Sequence, residues 1–147
     1  MQNPVKAYLS RYRNLQLKCR TLEDTIADLR ERAESITINL DPNKVQSSSK
    51  IHDPIAEAAA SIADTERLLA EARAESEVMM NRITQAILTV SNDQLQTLLV
   101  LRYIKGLSWE TIAEQMSYSV RQIYNLHGVA LNMVDKHCIA NFMSIYR

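Results

Sequence analysis

YLSRYRNLQLKCRTLEDTIADLRERAESITINL, residues 8–40, decides the fold class. Its positions 8, 12, 15, 19, 22, 26, 29, 33, 36 and 40 are Tyr8, Tyr12, Leu15, Cys19, Leu22, Ile26, Leu29, Ala33, Ile36 and Leu40. The spacing alternates four and three without a break, and every position is apolar. A stripe of that period runs along one side of an α-helix and repeats with each heptad. A helix of about 30 residues is about 45 Å long and cannot bury such a seam by itself. A second helix must cover it, from this chain or from another copy. Residues 1–40 therefore read as one long heptad helix. It should fail near 35–40, where Ile36, Thr37 and Ile38 are β-branched and Pro42 follows.

The next stretch, DPNKVQSSSKIHD at 41–53, has a proline, three serines and no periodicity, and reads as a linker. Asp53-Pro54 is a helix start, with Asp as N-cap and Pro at the first helical position. Glu57 lies in the first turn, where the helix dipole favours a carboxylate. The second long helix, 54–90, carries a seam of Ile55, Ile62, Leu69, Ser76, Ile83 and Val90. Ala58, Thr65, Ala72, Met79 and Ala86 stand between them. Small residues on that seam permit close approach of the first helix. The linker is long enough for an antiparallel hairpin within the chain, which is preferred over an intermolecular coiled coil.

Composition agrees with an all-α chain. Only two of the 147 residues are glycine and three are proline, too few for the turns of a sandwich or barrel. The glycines, Gly106 and Gly128, cannot form a glycine-rich phosphate loop. Lys+Arg and Asp+Glu both number 17, so net charge names no partner. The stretch from Ile83 to Val100 is broken by Thr84, Gln85, Asn92, Gln94 and Gln96, so no membrane span is expected. The opening MQNPVKAYLSRYR lacks the apolar core of a signal peptide. Cys19 and Cys138 make no disulfide scaffold, and reduced thiols in a cytosol are the simple reading. Lys6, Arg13 and Arg20 are seven apart and share one line of the first helix. They read as solvated flanks of the coiled coil in preference to a phosphate-contacting stripe.

Residues 91–147 form the third segment, expected to be an independent helical domain. Ser91-Asn92-Asp93 opens a helix through Ile104, with Leu95, Leu98, Leu99, Leu101 and Ile104 as its apolar face. Gly106 stands at the left-handed cap position. Ser108 caps a short helix, Trp109–Met116, and Ser119 caps a longer one from Val120 to about His137. Two helices joined by a three-residue turn are a helix-turn-helix arrangement. Its geometry requires Ile112, Met116, Ile123 and Leu126 to point inward and a small residue, Ala113, where the helices cross. Val129, Ala130, Leu131, Met133 and Val134 should extend the buried face. Ser117 occupies the turn position that usually prefers glycine.

The wording LRYIKGLSWETIAEQMSYSVRQIYNLHGVAL, residues 101–131, resembles the region-4 helix-turn-helix of sigma-70 type transcription factors. Leu101-Arg102-Tyr103 before Gly106, Ile112-Ala113-Glu114, Ser119 to Ile123, and Ala130-Leu131 carry the resemblance. With the coiled-coil half, the chain is similar to small phage and prophage regulators of the RinA/ArpU-like kind. The resemblance implies a sequence-specific transcriptional regulator working with RNA polymerase. It would sit in the cytoplasm of a bacterial host, on the nucleoid when bound to DNA. Nothing in residues 1–90 looks like a promoter-melting region, so a complete sigma factor is not expected.

Helix-turn-helix proteins send the start of the second helix into the major groove of double-stranded DNA. By resemblance, Val120, Arg121 and Asn125 match base-contacting positions. Arg121 suits guanine, Gln122 and Asn125 suit adenine, and Val120 suits a thymine methyl. Ser108, Tyr118 and Ser119 are placed for phosphate contacts. Tyr124 reads either as a backbone contact or as packing on Tyr103 or Trp109. Trp109 reads as a core or hinge aromatic, and His127 as a satisfied or solvent-facing histidine. His137-Cys138 has no CxxC or HExxH to complete a metal site. Glu110 and Glu114 read as a solvated face, not an acid/base pair. No cofactor, metal or enzymatic activity is expected. A homo-oligomer through the long helices is expected. The alternatives are a DNA-packaging recognition protein similar to a small terminase subunit, and a helical adaptor that binds no DNA.

Overall fold

The computed structural model describes residues 3–38 and 53–140. The fold is all-helical, with no strand among the described residues. In order come α1 (Pro4–Leu9), α2 (Arg11–Ile38), α3 (Pro54–Leu88) and α4 (Asp93–Leu99). A π-helical turn (Val100–Ile104), α5 (Trp109–Met116) and α6 (Val120–Met133) follow. Leu40 and all of the 41–53 linker but Asp53 lie outside the described residues, as do 141–147. No described helix is long and apolar enough to cross a membrane.

The chain packs as two units, residues 16–74 and residues 1–15 with 75–147. In the first, α2 and α3 pair antiparallel within the chain, as the seams predict. Cys19 and Ile26 bury against Leu69 and Ala72, with Leu22 half-buried beside them. Glu23 pairs with Arg73 and Arg30 with Glu66, each at 2.6 Å, so α2 numbers rise as α3 numbers fall. These pairs are about half exposed and add at most a few tenths of a kcal/mol each. The apolar seam is the main support. Leu29, Ala33 and Ile36 stay half-buried, and so do Ala58, Ile62 and Thr65 on α3. Ile55 departs from its expected place and is exposed. Asp53 caps α3 through Oδ1, which accepts from the N–H groups of Ile55 and Ala56.

The second unit has the larger core. Val5, Tyr8, Leu9 and Leu15 meet Met79, Ile83, Ala86, Ile87 and Val90, and both groups meet the buried side chains of α4, α5 and α6. The expected domain boundary at 91 therefore cuts through a core. Among the described residues, those from 91 to 140 close no interior without α1, the start of α2 and the end of α3. The first long helix is also interrupted once. Asn3 caps α1 through its side chain, with Pro4 at the first position. At Ser10 the hydroxyl and the N–H both bond to the Lys6 carbonyl, at 2.7 and 3.0 Å.

Two helix ends differ from expectation. The helix through Ile104 is α only to Leu99 and widens into the π turn, where the Lys105 N–H bonds to the Val100 carbonyl at 2.9 Å. Gly106 then takes φ +71, as its cap position requires. The last long helix ends at Met133, short of His137, because Val134 turns to extended backbone. Val134 remains buried, and the next N–H, of Asp135, donates to Thr89 Oγ1 at 3.0 Å. Val129 and Met133 are exposed, whereas Ala130 and Leu131 are buried. The apolar face of α6 is thus narrower than the sequence reading gave it.

Candidate nucleic-acid interface

The segment 108–133 is built by three local devices. Ser108 accepts the Thr111 N–H and opens α5, with Glu110 in the first turn. Ser117 ends α5 in the left-handed conformation, φ 60 and ψ 41. The Tyr118 N–H then bonds to the Ala113 carbonyl at 2.9 Å and the Ser117 N–H to that of Glu114, a Schellman closure. This is why the position prefers glycine: a β-carbon in that conformation is strained. Ser119 and Gln122 form a reciprocal capping box that opens α6. Ser119 Oγ accepts the Gln122 N–H at 3.2 Å, and Gln122 Oε1 accepts the Ser119 N–H at 2.9 Å.

α6 packs on α4 and α5. Ile112 and Ile123 have no exposed surface, and Ala113 is buried at the crossing. Met116 and Leu126 are half-buried. The N-terminal end of α6 turns its other side outward: Arg121 and Asn125 are exposed and Val120 is half-exposed. Arg121 is the only Lys or Arg of α6, so the positive charge of this end is small.

Several proposed contacts are already engaged within the chain. The Gln122 carbonyl oxygen holds the cap, so the amide cannot offer both its groups to adenine while the cap is intact. Tyr118 donates its hydroxyl to Gln94 Oε1 at 3.1 Å, which removes the donor a phosphate would need. The Ser108 and Thr111 hydroxyls are hydrogen-bonded to each other at 2.8 Å, one donating and the other accepting. Ser119 keeps its hydroxyl proton, since its oxygen acts as acceptor in the cap. Tyr124 is half-exposed and packs edge-on to Trp109, with ring centroids 5.4 Å apart. Of the eight sequence candidates, Val120, Arg121, Asn125 and Ser119 remain free to meet a ligand.

Behind α6 lies a group of aromatic and basic side chains that periodicity does not reveal. Trp109 is flanked by the His127 ring at 4.6 Å and covered by the Arg102 guanidinium at 4.2 Å. Arg102 also donates to the Leu107 carbonyl at 3.0 Å, which ties the π turn to the start of α5. His127 Nε2 meets the Tyr103 hydroxyl at 2.6 Å, both groups being buried. Burial, then the positive charges of Lys6 and Arg102, pushes the imidazole down to about 4. Burial pushes the Tyr103 phenol up to about 12. Both are neutral near pH 7, so the bond costs no buried charge. His127 is a satisfied core histidine. Arg102 could not be assigned from sequence, because its role depends on Trp109 being seven residues away across a turn.

Compared with models of known protein families, with curated proteins and with solved structures, the chain matches none of them.

Proposed function

We propose that this chain is a sequence-specific DNA-binding transcriptional regulator that works with RNA polymerase, similar in kind to the small phage regulators that its C-terminal wording resembles. One observation carries the reading. α6 follows a tight left-handed turn, buries Ile123 completely, and leaves Arg121 and Asn125 exposed at its capped N-terminal end. An exposed Arg and Asn at the start of a helix seated on a second helix match what major-groove recognition needs. The role is binding, not catalysis. Val120, Arg121 and Asn125 read bases, and Ser119 contacts phosphate.

The long-helix seam is occupied within the chain. Self-association through these helices would therefore use their outer faces, where Leu17 and Leu68 stand exposed. Selection of bound duplexes from a random library tests the reading. An enriched motif is expected, and Arg121→Ala should lose preference at one base pair, at a cost of about 1–3 kcal/mol. Equal loss on the selected site and its single-base variant would make Arg121 a phosphate contact. Recovery of no motif would reject sequence-specific binding.

A further inference from the structure

We propose that Arg13, Arg102 and Lys105, joined by Lys6, form a second and sequence-independent contact to the DNA phosphate backbone beside the start of α5. This rests on the DNA-binding reading above and adds a surface to which the first two helices contribute.

The four cations come from separate elements. Lys6 is on α1, Arg13 near the start of α2, Arg102 in the π turn, and Lys105 just before Gly106. Arg13 reaches across to the loop: its Nε lies 3.7 Å from where a β-carbon on Gly106 would stand. Arg102 is fixed in place by Trp109 and the Leu107 carbonyl. Lys6 and Lys105 are exposed, and Arg13 and Arg102 are half-exposed. Among the described residues none of the four is in an ion pair. Burial and then Arg13 hold Arg102 below the usual guanidinium range, and Lys6 and Arg102 both act on His127. Glu110 is the carboxylate that acts on Arg102, and more weakly than Arg13.

Gathering like charges with no ion pair among them, and only the weaker pull of Glu110 on Arg102, is unfavourable unless an anion completes the group. The group adjoins the N-terminus of α5, whose peptide dipoles also favour an anion. An anchored Arg102 beside exposed cations suits a line of phosphates. It also supplies what α6 lacks: with Arg121 alone, the recognition helix offers little charge for general DNA affinity.

The test uses the full chain, a fluorescent mixed-sequence duplex and the selected specific duplex, each titrated across a salt series. Arg13→Gln and Lys105→Gln should weaken binding to both duplexes by the same factor. Each should make the dependence of log affinity on log salt shallower by about 0.9. The base preference read by Arg121 should be unchanged. Lys105 is exposed at a helix end, so its variant decides the matter if Arg13→Gln lowers the melting temperature. Wild-type slopes in a folded Lys105→Gln chain that still binds DNA would overturn this inference and leave the DNA-binding reading standing. Failure of the wild-type chain to bind either duplex would overturn both.

Discussion

His127→Gln isolates the cost of keeping a neutral imidazole in the core. The native ring is buried against Trp109 and bonded to Tyr103, and its pKa is about 4 in place of the ordinary 6.5. The folded value is depressed, so this group's stabilisation is complete above pH 6.5. As pH falls from 6.5 toward 4, the unfolded chain takes up the proton and the folded chain does not. The stabilisation is lost across that window and then levels. Linkage gives a loss of about 2 kcal/mol at pH 5 and almost none at pH 7. Gln cannot titrate, and its amide can keep a bond to the Tyr103 hydroxyl. Stability should therefore be measured for both chains by urea unfolding at matched pH values, in moderate salt to damp the contributions of Lys6 and Arg102. All other titrating groups cancel in the difference between the two chains. That difference should move by about 2 kcal/mol in favour of the Gln variant between pH 7 and pH 5. A difference that stays flat would mean that the imidazole protonates freely in the folded state, and the buried Tyr103–His127 pair would be wrong.

Three other outcomes are expected. Ile26→Asp puts a charge against Leu69 and Ala72 and should destabilise residues 16–74 by several kcal/mol, read as loss of helicity on heating; an unchanged melting curve would sink the paired-helix seam. Ser117→Gly relieves a left-handed residue but loosens the unfolded chain, and should stabilise by about 0.5 kcal/mol; destabilisation would argue against the left-handed turn. A fragment of residues 91–147 should show no cooperative melt, whereas residues 1–15 joined to 75–147 by a short glycine-serine linker should fold. The Arg11–Glu75 ion pair at 2.8 Å brings the two cut ends close enough to join. A cooperatively folded 91–147 fragment would refute the account of the core.

Features that depend on neighbours along the chain can be read from residue order. The heptad spacing gave two long helices that must each be covered, because a one-sided apolar stripe has to be buried; that they cover each other within the chain came from the structure. Asp53-Pro54, Ser108 and Ser119 gave their caps, because each capping bond joins residues two or three apart, and Gly106 gave its helix end, because glycine takes the left-handed backbone without strain. Ile112, Ala113 and Ile123 were legible as the inner face of the helix pair for the same reason. Tertiary structure decided what depends on partners far away. Tyr118 reads as a donor to DNA until Gln94, 24 residues away on α4, engages it; the cap that engages Gln122 is local, a Ser-x-x-Gln box between residues three apart. Val129 and Met133 fit the apolar pattern of α6, but among the described residues no element covers that side of it. The grouping of Arg13 with Arg102 and Gly106 cannot be inferred from their separate positions. Above all, the domain boundary at 91 was set by a change in composition, while the core closes around Val5, Tyr8 and Leu9 from the other end of the chain. A local signal measures the preference of a segment. Burial is a property of which segments meet, and here the first helix supplies the wall that the last three lack.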